Sequence, residues 1–546
     1  MPLDDIKKTR IHKLESLKKR GINAFPARTT RTHTLGDVVV GFETLKTQGE
    51  LTLAGRVRAV REHGGATFLT IEDGSGAFQV FLKQDILGAA YTLFLETIDV
   101  GDIIETKGTL FITKRGEKTL ECQSWNILTK ALAPLPEKWH GLQDVEERYR
   151  KRYLDLLMNK EVRALFAVRA KVVHAFRSFL AVEGFIEAET PMLQALPGGA
   201  TARPFETHLH ALDMDLYLRI APELYLKRLI VGGFEKVYEL GRNFRNEGMD
   251  RTHNPEFTML ELYIAYADYE FLMQFVERLF GAVLQDARGS SSVTSNGEAI
   301  NFGITPWKRV EFGTLVNSAL GEDYTKMSVA DLKKALKKLG IKADAKILKQ
   351  KGKMIDEVFK KVALPTIVQP TFIINHPMEI SPLAKAREDD PEKVERFQLV
   401  AGGLELVNAF SELNDPTEQE SRFKAQEKLK KSGDIEAQNY DKEFVEALEY
   451  GMPPTAGLGI GIDRLIMLLT NSSSLREVLL FPTMRPRILR TSVRSEFGST
   501  PGVRPRSLGT KAGKGLGIAP VRAKKEVSAK KKPTKKTHRE EKTTKK

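Results

Sequence analysis

The spacing of apolar residues divides the chain into a helical start, a β-rich segment and a long mixed region. Leu14 and Leu17 lie at helical spacing among lysines in residues 1–22, which predicts an amphipathic helix that ends at Gly21. Residues 51–130 instead contain short β-rich runs, separated by glycine-containing turns such as DGSG and KRGE. About five strands in some 80 residues predict a small barrel of the OB type.

A mixed pattern of strands and helices follows the barrel. Residues 132–144, LAPLPEKWHGLQD, form a proline-containing connector, and apolar residues recur at helical spacing through 145–183. Strands and helices then mix from about 184 to 484. Residues 326–362 are rich in lysine and predict an inserted helical module, which we interpret as a solvated amphipathic face. The pattern as a whole indicates an α+β protein.

Composition narrows the compartment in which the chain is expected to work. The 546 residues include one cysteine, Cys122, so an intramolecular disulfide is excluded and a reducing compartment is favoured. No apolar run approaches the roughly 18–20 residues that span a bilayer. The N-terminus is charged and lacks the apolar core of a signal peptide. We therefore expect a cytoplasmic protein without membrane partners.

The net charge of +14 is concentrated at one end of the chain. Residues 485–546 contain 20 Lys and Arg and 4 Asp and Glu, so the preceding part is nearly neutral. From Thr491 onward the sequence is rich in Gly, Pro, Ser and Lys without an apolar period, which predicts a disordered basic tail. The tail is either a solvated extension without function or a segment that attracts RNA, with strongly salt-dependent binding.

One predicted strand has an unusual polar face. Residues 236–266 are predicted to form a strand, a polar loop and a second strand. Alternate side chains of the second strand share a face, which here carries Phe257, Met259, Glu261 and Tyr263. A carboxylate among apolar and aromatic neighbours needs a cationic partner. That partner is either a structural salt bridge or a ligand.

A second candidate strand, GGLELVNAFSELND at 402–415, also carries polar side chains. Asn408 and Glu412 share a face, whereas Glu405 has the opposite parity. If all three serve one site, a bulge or bend is required between Glu405 and Asn408.

The third candidate segment, PPTAGLGIGIDRLIMLLT at 453–470, is rich in glycine. Glycines 457, 459 and 461 alternate along an extended run, and a helix begins near Asp463. Bare backbone allows a flat ligand to lie against the strand, and Arg464 stands in the first helical turn. The run matches neither the P-loop nor the dinucleotide-binding pattern, and a glycine run alone is weak evidence. Glycines that place an arginine at the end of a strand favour a nucleotide site more strongly.

Together these segments resemble the signature motifs of class II aminoacyl-tRNA synthetases, and most closely those of bacterial-type lysyl-tRNA synthetases. Motif 1, with Pro191 at the dimer interface, is similar to residues 184–205, motif 2 to 244–261 and motif 3 to 457–464. Residues 218–239 and 408–416 are also close to lysyl-enzyme sequence. The resemblance covers about residues 1–487.

The resemblance implies an OB-fold barrel followed by a class II catalytic domain, an antiparallel sheet with flanking helices. The expected divisions are an N-terminal helical extension at 1–50, an anticodon-binding barrel at 51–131, a linker at 132–148, a catalytic domain at 149–487 and the tail at 488–546. The implied reaction joins L-lysine to tRNA(Lys) with ATP and Mg²⁺, in a homodimer formed through motif 1.

The resemblance also implies roles for individual residues. The ATP site would consist of Arg245, Glu247, His253, Phe257, Glu405 and Arg464, with Arg245 and Arg464 catalytic and Glu405 a metal ligand. The lysine site would consist of Gly199, Glu223, Arg245, Glu261, Tyr263, Asn408 and Glu412. Anticodon bases would contact Arg61, Phe68, Gln79 and Glu117.

Three positions depart from the resembled pattern. Many relatives have Glu where Gln398 stands, which leaves the role of Gln398 as a metal ligand open. Some have a basic residue where Thr252 stands, so Arg251 is a candidate replacement, and Leu404 replaces a residue that is polar in some relatives.

Two alternative functions agree less well with the sequence. A paralogue that modifies a protein with lysine would lack the barrel. A catalytically inactive RNA-binding protein would not be expected to retain the ATP-site residues.

Overall fold

The computed structural model describes residues 3–136, 142–344, 347–431 and 437–487. The predicted tail at 488–546 and part of the predicted linker lie outside the described residues. Residues up to Arg485 form one unit by their contacts. Among the described residues, no helix combines the length and apolarity needed to cross a membrane.

The β-rich segment forms a closed five-stranded barrel, as its short runs and glycine turns predict. The strands pair in the order β1-β2-β3-β5-β4, and alternate residues such as Leu69 and Ile71 fill the interior. A Cβ on Gly108 would overlap the carbonyl oxygen of Glu121, so the strands approach closely there. The barrel strands are β1 (Leu51–His63), β2 (Ala66–Glu72), β3 (Ala77–Lys83), β4 (Ile103–Ile112) and β5 (Lys118–Thr129).

The N-terminal helices share a core with the barrel. Leu14, Leu17 and Phe42 are buried in the same apolar cluster as the barrel interior. Arg10 donates hydrogen bonds to the carbonyls of Val100 and Ala131, each at 2.9 Å, which fixes the first helix to the end of the barrel. The helices of this part are α1 (Leu3–Lys19), α2 (Leu35–Val40), α3 (Phe42–Thr47), α4 (Gln84–Leu87) and α5 (Ala89–Thr97).

The second half is built on an eight-stranded sheet. Its strand order is β14-β15-β16-β17-β18-β11-β10-β6, and all neighbours are antiparallel except β6 with β10 and β14 with β15. Strands β7, β9 and β8 form a small separate sheet, and β12 and β13 form a hairpin. These strands are β6 (Ile186–Glu187), β7 (Leu193–Gln194), β8 (Phe205–Leu209), β9 (Met214–Leu218), β10 (Lys236–Phe244), β11 (Glu256–Ala265), β12 (Ser292–Ser295), β13 (Glu298–Asn301), β14 (Lys308–Glu311), β15 (Thr371–Pro377), β16 (Lys393–Ala401), β17 (Leu404–Ser411) and β18 (Thr455–Gly461).

Helices cover the apolar face of this sheet and leave its other face for polar side chains. Residues Leu260, Leu262 and Ile264 of β11 are buried against helices α8, α10 and α16, as the predicted plain core face requires. The helices are α6 (Val145–Arg150), α7 (Arg152–Met158), α8 (Lys160–Val182), α9 (Glu223–Val231), α10 (Tyr269–Arg288), α11 (Phe312–Leu320), α12 (Val329–Lys338), α13 (Lys351–Val358), α14 (Pro416–Lys431), α15 (Lys442–Glu449), α16 (Ile462–Leu469) and α17 (Leu475–Val478).

The lysine-rich helical segment is more than a solvated face. Lysines of α12 are exposed as predicted, but Leu332 and Leu336 on its other side are fully buried. They share an apolar cluster with Ile373 of β15 and Val400 of β16. The segment therefore packs onto strands β15 and β16 of the main sheet, because its apolar stripe needs a partner to exclude water.

Candidate active site

The polar face of β11 lies in the middle of the sheet, between β10 and β18. Glu261 is buried, 4% exposed, and forms no salt bridge with any described residue. Its only hydrogen-bond donor among the described side chains is the Tyr263 hydroxyl, at 3.4 Å. Glu239, directly opposite on β10, is instead paired with Arg219. Of the two explanations for Glu261, the structure therefore favours a cationic ligand over a structural salt bridge.

Burial changes the protonation of this carboxyl. Desolvation, followed by the nearby charge of Glu223, raises the pKa of Glu261 from 4.5 to about 8. Arg245 and Arg219 oppose the rise but are too distant to form ion pairs with Glu261. Burial also raises the pKa of the Tyr263 hydroxyl well above its ordinary value, so that side chain stays neutral. An incoming ammonium would supply the cation that Glu261 lacks.

Helix α9 brings a second carboxylate to the space beside Glu261 and Tyr263 on the polar face of β11, which we call the pocket. Glu223 begins the helix and is 6% exposed. Gly199 lies against it with φ +82°, and a Cβ there would approach the Glu223 Cβ to 2.9 Å. The close approach and the left-handed backbone both require glycine at this position. The structure thus brings together the two residues predicted to contact the α-amino group.

A third carboxylate, Glu412, enters directly after β17. It is 1% exposed, and its Oε1 atom has no hydrogen-bond partner among the described residues. Burial raises the pKa of Glu412 well above its ordinary value, and the Lys227 ammonium opposes that rise. A buried carboxylate oxygen without a donor is costly unless a ligand supplies one.

Lys227 is the pocket residue that sequence reasoning missed. Its ammonium lies 2.6 Å from Glu223 Oε1 and forms an ion pair with Glu412 Oε2. Lys227 follows Glu223 by four residues on α9, a spacing that predicts helical ion pairs. The spacing could therefore have predicted the contact of Lys227 with Glu223. The contact with Glu412 could not be predicted from neighbouring residues.

Strand β17 contains the irregularity that its polar pattern required. Leu399 faces Val407, but the next residue, Val400, faces Glu405, so Leu406 is an extra residue in the ladder. This bulge lies between Glu405 and Asn408, as predicted. Asn408 is held by Arg396, whose Nε donates to Asn408 Oδ1 at 2.8 Å. Arg396 is a second missed residue, two positions before Gln398 on the neighbouring strand.

Most glycines of β18 do not provide the open surface for a flat ligand that the sequence predicted. A Cβ on Gly457 would overlap Tyr263 and Glu412, and one on Gly459 would overlap Met259. Protein side chains therefore occupy the space above these two glycines, which is not left open for a flat ligand in this structure. Only at Gly461 is the nearest atom at contact distance, the Arg464 Cδ at 3.8 Å. The prediction is thus corrected, because glycine here mainly admits neighbouring side chains.

The other end of the pocket carries the predicted ATP residues. The Arg245 guanidinium lies 5.0 Å from the centre of the Phe257 ring. Arg464 Nη2 donates to His253 Nε2 at 3.1 Å, and its Nη1 donates to the Glu405 carbonyl at 3.2 Å. These contacts bring two cations, a histidine and an aromatic ring to one end of the pocket. Such a set of groups suits a polyanion with a flat base.

The loop between β10 and β11 supplies the remaining predicted residues. Glu247 is exposed, and its backbone N–H donates to the Arg245 carbonyl at 2.9 Å. Asp250 accepts a hydrogen bond from His253 Nδ1 at 2.9 Å, which leaves Nε2 to accept from Arg464. Arg251 Nε donates to the Ser473 carbonyl at 2.8 Å.

Only a sparse set of metal ligands is present. Among the described residues, no group of three or more His, Cys, Asp or Glu side chains is arranged to hold a metal. Glu405 is a quarter exposed, with Oε2 at 3.7 Å from Arg464. Gln398 is buried, and its Oε1 pairs with His376 Nε2 at 3.1 Å, so its amide oxygen is already engaged. This donor set fits a cation held mainly by phosphates and water, with Glu405 as a protein ligand.

The barrel presents a candidate face for nucleic acid. Arg61 and Phe68 are direct cross-strand partners, and the Phe68 ring stacks on Phe81 at 4.5 Å. Gln79 shares the outward face of β3 with Phe81, and its Nε2 donates to Thr119 at 3.1 Å. Phe81 was missed, although its position two residues after Gln79 placed it on the same face.

Glu117 lies at the margin of this face. It is exposed in the turn between β4 and β5, and its carbonyl accepts a hydrogen bond at 3.1 Å from the Thr119 hydroxyl, to which Gln79 donates.

Comparison with known proteins agrees with this arrangement. The family of class II tRNA synthetases (D, K and N) matches residues 144–485, and the OB-fold nucleic acid binding domain matches residues 51–128. A lysine–tRNA ligase of Roseiflexus sp. is 50% identical over 491 residues, spanning 89% of this chain and 100% of that protein. Those of Pelotomaculum thermopropionicum and Carboxydothermus hydrogenoformans are 49% and 50% identical, spanning 89% of this chain and 96% and 99% of their own lengths. The chain belongs to the class II tRNA synthetases, and within them to the lysine–tRNA ligases of the bacterial type.

Proposed function

We propose that the pocket on β11 binds L-lysine and that the chain ligates it to tRNA(Lys) with ATP. The observation that carries this proposal is a pair of buried carboxyls: among the described residues Glu261 has no ion-pair partner, and Glu412 Oε1 has no hydrogen-bond donor. The lysine ε-ammonium supplies the missing charge between them, with Tyr263 and Asn408 beside it. Glu223 and Gly199 receive the α-amino group.

The lining of the pocket also sets its specificity. Aspartyl and asparaginyl enzymes share this catalytic family, and an aspartate side chain would need a cationic pocket. A substrate with a neutral side chain in place of the ammonium would leave buried carboxyls unpaired. In sites that recognise a polar group, this penalty lowers kcat/KM for the wrong substrate by about 10⁴–10⁵-fold. Lysine is the amino acid whose charge and length fit this set of groups.

ATP occupies the end of the pocket lined by Phe257, His253 and Arg464 in this proposal. Phe257 and Arg464 enclose the adenine, Glu247 and its backbone contact the adenine amine, and His253 faces the γ-phosphate. Arg245 neutralises both the lysine carboxylate and the α-phosphate. A planar guanidinium with several donors suits two anions at once.

The reaction needs no covalent nucleophile from the protein. The lysine carboxylate attacks the α-phosphorus in line as the bond to pyrophosphate breaks, which gives lysyl-adenylate. The 3′-terminal ribose hydroxyl of tRNA then attacks the lysyl carbonyl and releases AMP. Positioning of the two reactants and neutralisation by Arg245 and Arg464 lower the barrier.

A divalent metal accompanies ATP in this family, and we assign that role to Mg²⁺. Glu405 would hold it together with the phosphates, and the ion would neutralise charge on the leaving pyrophosphate. Gln398 is not included, because its amide oxygen is paired with His376.

The remaining assignments extend the proposal to partners. The barrel face with Arg61, Phe68, Gln79 and Glu117 binds the anticodon of tRNA, with stacking on Phe68. Two chains associate through the motif 1 region, where several apolar side chains are well exposed: Ile186, Met192, Leu193 and Leu196. As a translation enzyme, the protein works in the cytoplasm.

Amino-acid-dependent ATP–pyrophosphate exchange tests the proposed function. Exchange is expected with lysine and not with arginine, and ornithine, one methylene shorter, should react more weakly. The Arg245→Ala variant should lose exchange, whereas Arg278→Ala, which removes an exposed arginine paired with Glu183, should retain it. Exchange that ignores lysine, or normal exchange in Arg245→Ala, would refute the proposal.

A further inference from the structure

Lys227 is a fully buried ammonium placed between two carboxylates of the pocket. It contacts Glu223 on its own helix and Glu412 from the segment after β17. The ring centres of Phe410 and Tyr263 lie 5.5 and 5.9 Å from its Nζ atom. These neighbours exclude water from Lys227. Burial lowers the pKa of its ammonium, but Glu223 and Glu412 raise it by more, so the pKa lies above its ordinary value.

We infer that Lys227 is a positioning residue for lysine recognition, which holds Glu223 and Glu412 ionised and directs their free oxygens at the two ammonium groups of the substrate. The inference rests on the proposed function. Lys227 engages Oε1 of Glu223 and Oε2 of Glu412. The Oε1 atom of Glu412 is left buried and without a donor among the described residues.

The charges around Lys227 explain why such a residue is needed. Three buried carboxyls, Glu223, Glu261 and Glu412, crowd the pocket, and Lys227 is the ammonium that directly contacts two of them. Arg245, from the β10–β11 loop, acts electrostatically on the third carboxyl, Glu261. Arg219 is already paired with Glu239, and Tyr263 stays neutral.

In the lysine-bound state, in which Glu261 has lost its proton, the three carboxylates and the two cations Lys227 and Arg245 leave one negative charge. Lysine, with two ammonium groups and one carboxylate, carries one positive charge. The substrate therefore balances the pocket only while Lys227 is present.

Loss of the Lys227 charge has a defined consequence for protonation. An opposite charge within about 4–6 Å lowers a carboxyl pKa by about 1–3 units, so without Lys227 at least one of its carboxylates takes up a proton near neutral pH. That proton must leave before the carboxyl accepts a substrate ammonium. The number of protons released per lysine bound therefore increases, and lysine binds more weakly at pH 7.

The barrel contains a matched control for a purely structural role. Lys130 is also fully buried, and its ammonium bridges Asp99 at 2.6 Å and Asp102 at 2.7 Å among barrel residues. The Lys130→Met variant removes the same kind of ion pair outside the lysine pocket. It should reduce stability and leave the linkage between lysine binding and protons unchanged.

Titration calorimetry of the full chain with lysine, in two buffers of different ionisation enthalpy at pH 7, tests the inference. Lys227→Met should release about one more proton per lysine than the unchanged protein, with affinity lower by about tenfold or more. Lys227→Arg retains the charge and should keep the original proton count. Lys227→Gln, whose amide still donates hydrogen bonds, replaces Lys227→Met if that variant does not fold.

The outcomes separate the inference from the proposed function. Lysine-dependent exchange in the unchanged protein, with the same proton count in Lys227→Met or Lys227→Gln, would overturn the inference alone. An equal rise in proton count in Lys130→Met would also overturn it, because the effect would then follow from lost stability. Absence of lysine-dependent exchange in the unchanged protein would overturn the proposed function itself.

Discussion

Replacement of Glu261 by glutamine tests whether lysine binding drives a proton from this carboxyl. The side chain is 4% exposed and its pKa is raised to about 8. At pH 7 roughly nine-tenths of the free protein therefore carries a proton on Glu261. A lysine ammonium beside it lowers that pKa by about 1–3 units. Binding should release between about half a proton and one proton, and Glu261→Gln should release almost none.

The same shift predicts how stability depends on pH. The folded pKa of about 8 exceeds the ordinary value of 4.5, so the native protein binds more protons than the unfolded chain between these values. Stability without lysine should therefore fall as pH rises from about 4.5 to 8. The contribution of Glu261 to this fall is at most about 5 kcal/mol. Glu261→Gln should flatten the decline, which chemical denaturation at several pH values would measure.

Calorimetry with lysine in phosphate and in Tris at pH 7 measures the proton release directly. The Glu261→Gln variant should bind lysine about 10- to 160-fold more weakly, because a hydrogen bond to a charged group contributes about 1.5–3 kcal/mol. Glu256→Gln on the same strand is the control, since Glu256 is half exposed and faces Arg242 at 3.7 Å. Buffer-independent heats in the unchanged protein, or equal lysine affinity at pH 6 and pH 8, would refute the reasoning.

Four further changes have expected outcomes. Gly457→Ala should lower the free energy of unfolding by about 1–3 kcal/mol and reduce kcat/KM for lysine, because its Cβ overlaps pocket side chains. Gly281→Ala is the control, because a Cβ at Gly281 meets no neighbouring atom within 4 Å. Phe68→Ala should weaken tRNA binding by about 1–3 kcal/mol and leave ATP–pyrophosphate exchange unchanged. Leu193→Asp should convert a dimer into monomers in light scattering. Removal of residues 488–546 should weaken tRNA binding mainly at low salt; an unchanged tRNA KM across salt concentrations would contradict this.

Local sequence patterns predicted part of the architecture, and the resemblance to class II synthetases implied the large antiparallel sheet. The β-rich runs and their glycine turns predicted the five barrel strands, and the alternation of side chains predicted the plain core face of β11. The parity of Glu405 against Asn408 required a bulge, and the ladder has one between them. Such features depend on neighbouring residues, so the sequence contains the necessary information.

Only the tertiary structure decided which charges meet in the pocket and what fills the space around them. Lys227 and Glu412 are far apart in sequence and meet only in the folded protein, where α9 packs on β10 and β11. Side chains occupy the space above Gly457 and Gly459, which strand alternation alone did not show. The sequence marked Glu261 only as an unusual carboxyl on a strand face. Burial, which depends on the whole fold, raises its pKa and makes the site suitable for an ammonium.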